Sequence, residues 1–143
     1  MTIVYTYLVM DLLHEGHLLY IKNAKAIAGK DGKLVIGILT DEAVMEKKPK
    51  PAQSFEERIR IAEAIKHIDV VVPQETYSPL DNIINIKPDY VVESSSHDFE
   101  ELEEMEAEMK ALNMKTKIVV LPYYPAQSSS FIKEKIKKKN NEK

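Results

Sequence analysis

The chain contains no cysteine. That absence excludes a disulfide framework, a thiolate-bound zinc and a cysteine nucleophile, and it fits a reducing cytosol. A basic surplus is also missing: 20 lysines and arginines stand against 23 aspartates and glutamates, a formal net charge of −3. Dedicated DNA or RNA binders carry a basic footprint, so nucleic acid is not an expected partner. Long apolar runs are absent too. The richest, 34–39 and 70–72, are strand-sized, whereas a bilayer span needs roughly 20 apolar residues. The apolar opening 3–10 lacks the basic flank and small-residue cleavage site of a secretory leader, and Asp11 closes it early. The expected location is therefore the cytoplasm.

What is present is an ordinary globular composition, with 44% hydrophobic and 30% charged residues over 143 positions. No internal repeat or linker divides it. One domain is expected over residues 1–132, followed by a lysine-rich helix end and tail over 133–143. Apolar runs alternate with helical stretches, which favours an α/β domain with a parallel sheet. Residues 3–10 read as the first strand and 16–28 as a helix, with Leu18, Leu19, Ile21, Ala24 and Ile27 at helical spacing. Residues 33–39 form a second strand, aliphatic enough to be buried on both faces. Residues 40–53 carry Lys47, Lys48, Pro49, Lys50 and Pro51 and read as a loop, because proline removes amide donors and fixes φ. Ser54 and Glu57 have capping-box spacing and open a helix to about His67. Strands are expected at 69–73, 90–93 and 117–121, with helices from Ser78-Pro79 and over 100–112. Ser128 or Ser129 caps a last helix. The glutamate run of 100–108 reads as a solvated helix face, and the terminal lysines suit a helix C-terminus.

The stretch that carries chemistry is Asp11-Leu12-Leu13-His14-Glu15-Gly16-His17, where the first strand meets the first helix. In an open parallel sheet, ligands bind beyond the carboxyl ends of the strands. A helix N-terminus there offers unpaired amides and a positive dipole end to an anion. Gly16 lacks a Cβ, so backbone and phosphate can approach closely. His14 and His17, three residues apart, can face the same oxygens. Two imidazoles plus amide donors suit a polyphosphate.

On these residues the chain resembles the cytidylyltransferase family of the HxGH nucleotidyltransferases. Tyr7 to His17 carries the likeness, with Gly37-Ile38-Leu39-Thr40-Asp41-Glu42 and Phe55-Glu56-Glu57-Arg58 after it. Val71-Val72-Pro73-Gln74-Glu75-Thr76 and Lys87-Pro88-Asp89-Tyr90-Val91-Val92 extend it. Leu121-Pro122-Tyr123 followed by Ser128-Ser129-Ser130 is similar to the family's second signature. Both signatures occur in order at opposite ends of one short domain, which is more specific than either alone. Within the family the chain looks most like phosphonate-linked members, with glycerol-phosphate and choline-phosphate relatives next.

The resemblance implies a Rossmann-like fold: an open five-stranded parallel sheet with helices on both faces. It implies transfer of CMP from CTP, bound with Mg²⁺, to a small phosphate- or phosphonate-bearing alcohol, releasing pyrophosphate. It also implies a homodimer. His14, His17 and Lys47 would be catalytic, with Lys48 and Lys50 as substitutes for Lys47. Val9, Met10, Asp11, Gly16, Arg58, Ser94, Ser128, Ser129 and Ser130 would hold the nucleotide. Asp11 is also placed to orient a histidine or approach the metal. His97, Tyr123 and Tyr124 would border the acceptor, whose ammonium group the aromatic faces would attract. Several positions depart from the family pattern. Val9 and Met10 replace small, hydroxyl or aromatic residues, Ser94-Ser95-Ser96-His97 replaces Gly-Asp-Asp-Trp, and Ala126-Gln127 replaces Gly-Ile. These place acceptor identity and base recognition in question, and leave two alternatives: adenylyl transfer, for example to a flavin precursor, or a non-catalytic nucleotide-binding protein.

Overall fold

The computed structural model describes residues 1–122. It has five strands, β1 (Ile3–Leu8), β2 (Lys33–Leu39), β3 (Val70–Gln74), β4 (Tyr90–Ser94) and β5 (Lys117–Leu121). They lie in the order β3-β2-β1-β4-β5, and every neighbouring pair is parallel. Five helices connect them: α1 (Glu15–Ala28), α2 (Asp41–Met45), α3 (Phe55–Glu63), α4 (Leu80–Ile86) and α5 (Phe99–Ala111). This is the expected Rossmann-like architecture.

Strand side chains alternate between two cores, as a period of two requires. Val4, Leu34, Ile36, Ile38 and Val92 pack with Tyr20, Ile21 and Ala24 of α1 and Ala62 of α3. Tyr5, Val35 and Val91 face the other way, onto Ile83 of α4 and Met105 and Met109 of α5. Both sheet faces are thus covered, which explains why β2 is aliphatic without a polar alternation. Gly29 ends α1 at φ 78°, a left-handed conformation that favours glycine.

Besides small shifts at other ends, three features differ from the sequence reading. The 40–53 loop begins with the short helix α2, because the Thr40 hydroxyl accepts from the Ala43 amide at 3.1 Å and starts a turn before the prolines intervene. Strand β1 stops at Leu8 rather than Met10, since Met10 (φ 63°) and Leu12 (φ 52°) are left-handed and break the ladder. Helix α3 ends at Glu63, short of His67. Ser54 caps α3 as expected, accepting from the Glu57 amide at 3.2 Å, but Glu57 takes the Ser54 hydroxyl at 3.3 Å rather than reaching back to its amide. The expected last helix, the Ala126-Gln127 departure and the tail lie outside the described residues.

The chain runs outward from β1 through β2 to β3, then returns to β4 on the other side of β1. The strand order therefore reverses between β1 and β4. Their carboxyl ends diverge there into a crevice, the position at which such sheets bind ligands.

Candidate active site

A cleft of about 340 Å³ opens at that reversal. Its lining includes Val9, Met10, Asp11, His14, Gly16 and His17 from the β1–α1 turn, and Ser94, Ser96 and His97 from the end of β4. Sequence positions about 80 residues apart are brought together by the pairing of β1 with β4.

The two histidines build the start of α1. His14 is the N-cap, and its Nδ1 accepts from the Gly16 amide at 3.0 Å. The Nδ1 of His17 reaches back and accepts from the His14 amide at 3.2 Å. This is a capping box made of imidazoles instead of a hydroxyl and a carboxylate. Its chemical consequence is a fixed tautomer. An Nδ1 that accepts from N–H carries no proton, so each neutral ring carries its hydrogen on Nε2. The rings sit 4.0 Å apart between centroids. Burial holds both below the ordinary imidazole range. His17 is lowered to about 4, by desolvation first and by its neighbour His14 second. Near neutral pH the pair is uncharged, pre-oriented, and equipped with Nε2–H donors in a cleft at a helix N-terminus. Capping the helix and facing the cleft use opposite edges of the same rings.

The turn before the histidines is held from the α3 side. Asp11 accepts from the amides of Ala52 and Gln53 at 2.9 and 3.0 Å, and Leu12 donates to the Gln53 side chain at 2.9 Å. Asp11 also favours the protonated form of His17, an effect outweighed by desolvation and His14. Among the described residues no group of three or more His, Cys, Asp or Glu is arranged to hold a metal.

Arg58 requires a correction. Expected from the resemblance to hold the nucleotide, it is fully buried and absent from the cleft lining among the described residues. Its Nη1 donates to the Val9 and Leu39 carbonyls, both at 2.7 Å, its Nη2 to Asp41 at 2.8 Å, and its Nε to the Gln53 carbonyl at 3.3 Å. It ties the ends of β1 and β2 to the loops beyond them. Arg58 positions the cleft floor and does not reach into it. Lys47 is also placed differently from expectation. Its Nζ meets Glu101 at 3.0 Å and lies 4.9 Å from the Tyr77 ring centre, while Lys48 lines the cleft. Tyr123, Tyr124, Ser128, Ser129 and Ser130 lie outside the described residues.

Sequence reasoning missed Glu93, Tyr7 and Tyr77. Glu93 is the penultimate residue of β4, with a side chain that is 1% exposed. Its Oε2 accepts from the Tyr7 hydroxyl at 2.7 Å, while its Oε1 has no hydrogen-bond partner among the described residues. Desolvation pushes its carboxyl up to about 7. The signal was available: Tyr90-Val91-Val92-Glu93 places a carboxylate at the carboxyl edge of an otherwise apolar strand, where charge is rarely buried without purpose.

With this geometry established, comparison with known proteins is decisive for the family. The cytidylyltransferase-like family matches residues 9–135. The chain belongs to that family. Among relatives of this cytidylyltransferase-like chain, an FAD synthase of Methanothermus fervidus is 32% identical over 130 residues, covering 89% of each chain. A glycerol-3-phosphate cytidylyltransferase of Bacillus subtilis is 30% identical over 133 residues, 93% of this chain and 95% of that one. The crystal structure of a lipopolysaccharide core biosynthesis protein from Thermoplasma volcanium superposes with a TM-score of 0.78 at 25% identity, covering 87% of this chain and 98% of that one. Among the described residues no helix is long and apolar enough to cross a membrane.

Proposed function

We propose that this cytidylyltransferase-like protein is a nucleotidyltransferase that moves CMP from Mg·CTP to a small phosphate- or phosphonate-bearing alcohol. An acceptor oxyanion attacks the α-phosphorus in line, a new P–O bond forms to the acceptor, and the bond to the β-phosphate oxygen breaks to release pyrophosphate. Such a transfer asks the protein for position and charge stabilisation, and no covalent enzyme intermediate is needed.

The observation that carries this reading is the imidazole capping box. Both Nδ1 atoms are occupied by the start of α1, which leaves two fixed Nε2–H donors for the oxygens of the transferring phosphoryl group. Donors that are already oriented need no reorganisation as charge develops, which is where such groups contribute most. Asp11 and Arg58 would hold the turn and the strand ends that set this geometry. Mg²⁺ enters as part of the nucleotide substrate, its charge shared with the phosphates. In the same reading Ser128, Ser129 and Ser130 hold the outer phosphates, and the chain pairs as a homodimer, which light scattering would test.

A second reading substitutes ATP and a flavin nucleotide, and the FAD synthase relatives favour it. One experiment separates the two. Pyrophosphate release is measured with Mg·CTP or Mg·ATP against phosphoethanolamine, 2-aminoethylphosphonate, phosphocholine, glycerol 3-phosphate and FMN. Turnover with CTP and a small acceptor is expected. Turnover confined to ATP and FMN overturns the CTP reading, and silence across the whole panel overturns nucleotidyl transfer to these acceptors.

A further inference from the structure

Beside the cleft lies a second hollow of about 240 Å³, and Tyr7, Tyr77 and His97 form walls of both. Its charges are one-sided: among the described residues Glu46, Glu93, Glu101, Glu104 and Glu108 line it against Lys47 alone, and Lys47 is held to Glu101. An anion would meet repulsion here, so neither the triphosphate nor the acceptor's phosphate belongs in this space.

At its inner end sits Glu93, almost fully buried, with Oε2 bonded to Tyr7 and Oε1 unpartnered among the described residues. His97 Nε2 stands 3.7 Å from Oε2, beyond hydrogen-bond distance. A buried acceptor oxygen without a donor is an unfavourable arrangement that a ligand N–H would relieve. The aromatic walls add faces that attract cations. One orphan oxygen between aromatic walls suits an organic cation rather than a bare metal ion, which takes several ligand atoms. Because the orphan oxygen needs a hydrogen to accept, a primary ammonium satisfies it and a fully methylated one does not.

We propose that this hollow is the subsite for a primary ammonium group of the acceptor, received by Glu93 Oε1. The inference rests on the nucleotidyl-transfer reading above and sharpens it. The acceptor is an aminoalkyl phosphate or phosphonate, its anionic end in the cleft beside His14 and His17 and its ammonium end past Tyr7 and His97. Glu93 is then the residue that sets acceptor specificity, across the Tyr7, Tyr77 and His97 walls that the two hollows share.

The full chain with Mg·CTP and Mg·ATP tests this, comparing 2-aminoethyl phosphate with its neutral counterpart 2-hydroxyethyl phosphate and with phosphocholine. The amino acceptor is expected to lead both others in kcat/KM by at least about tenfold, the scale of one charge-assisted hydrogen bond. Glu93→Gln should bring that ratio toward one. Equal kcat/KM for amino and hydroxy acceptors in the wild type overturns the proposal, as does an unchanged ratio in Glu93→Gln. Should that variant not fold, the wild-type ratio decides alone. If no acceptor releases pyrophosphate with either nucleotide, the parent reading fails, and a titration followed by amide NMR decides the subsite separately. Tighter binding of 2-aminoethyl phosphate than of 2-hydroxyethyl phosphate, with shifts at 93–98, supports it, and equal binding overturns it.

Discussion

The two hollows share three walls yet have opposite chemistry. The outer cleft presents hydrogen-bond donors: the start of α1, and the Nε2–H edges of two imidazoles whose other edges are pinned. The inner hollow presents acceptors, with one carboxylate oxygen left open among the described residues. Each is shaped by which strand ends it. Strand β1 is followed by the turn 9–14, which brings His14 and His17 to the start of α1. Strand β4 is followed by the turn 95–98 before α5, and its penultimate side chain, Glu93, stays buried at the carboxyl end of the strand. The difference teaches that polarity around a sheet crevice is set locally, by which side chains the strand ends and the turns after them bring to it. A substrate with an anionic end and a cationic end fits such a crevice in one direction only.

The largest expected effect comes from removing the group that holds the donor side in place. Arg58→Met leaves the Val9 and Leu39 carbonyls without their donor and Asp41 without its partner. Breaking a buried pair of this kind lowers stability by about 3–5 kcal/mol, which urea denaturation would measure. A loss under about 1 kcal/mol, on the scale of a surface pair, would mean that Arg58 does not clamp the strand ends. Next comes the donor pair itself. His14→Ala and His17→Ala are each expected to reduce kcat by about a hundredfold or more, the scale of one lost transition-state donor. Each also removes a cap, worth about 1 kcal/mol of stability. Near-normal kcat in both variants would take the imidazoles out of the chemistry and leave them as caps.

Much of the donor side was readable in advance, because its signals are local. The period-two and period-3.6 patterns mark β1, β2 and α1, and two histidines around a glycine at a strand–helix turn state a purpose within four residues. The acceptor side was not readable, because it depends on pairing across the chain. Glu93 meets Tyr7 only when β4 lies beside β1, 86 residues away in sequence. Arg58 misled for a related reason. Within α3 its spacing suits a solvated position, and only the packing of α3 under the ends of β1 and β2 buries it. The short helix α2 escaped because the lysines and prolines after it outweigh a single capping threonine.

The next effect separates the two regions by pH. Glu93 has a folded pKa raised to about 7 from 4.5. Its contribution to stability is therefore fully present below about 4.5 and is lost as pH rises through 7. His17 has a folded pKa lowered to about 4 from 6.5. Its contribution is present above 6.5 and is lost as pH falls through 4. The two slopes oppose each other in the window they share, so Glu93 and His17 together contribute little net pH dependence between pH 5 and pH 6.5. Glu93→Gln removes one slope. Relative to the wild type it should gain stability at pH 8, on the order of 1–3 kcal/mol given the size of the shift, and gain least near pH 4. Thermal melts across that range would show it. A constant difference between the two proteins at every pH would mean that Glu93 titrates normally and is not held in an unfavourable charged state.

The smallest effects concern the lysines at the border between the regions. Lys48 lines the donor cleft and Lys47 the acceptor hollow, although they are adjacent in sequence. Both are exposed, and contacts by exposed charges are worth about 0.2–1 kcal/mol, a few-fold in a binding constant. Lys48→Ala is accordingly expected to weaken nucleotide binding by about two- to fivefold while kcat changes less. Lys47 stands off the nucleotide against Glu101 and Tyr77, so Lys47→Ala should leave nucleotide affinity nearly unmoved and act on kcat, as a loop lysine that engages only after the acceptor is seated. Nucleotide titration of the apo protein and steady-state kinetics on the same two variants give the required split. Equal losses of affinity and kcat in Lys47→Ala would make it an ordinary binding lysine, and the boundary between donor cleft and acceptor hollow would then lie beyond residue 47 rather than between 47 and 48.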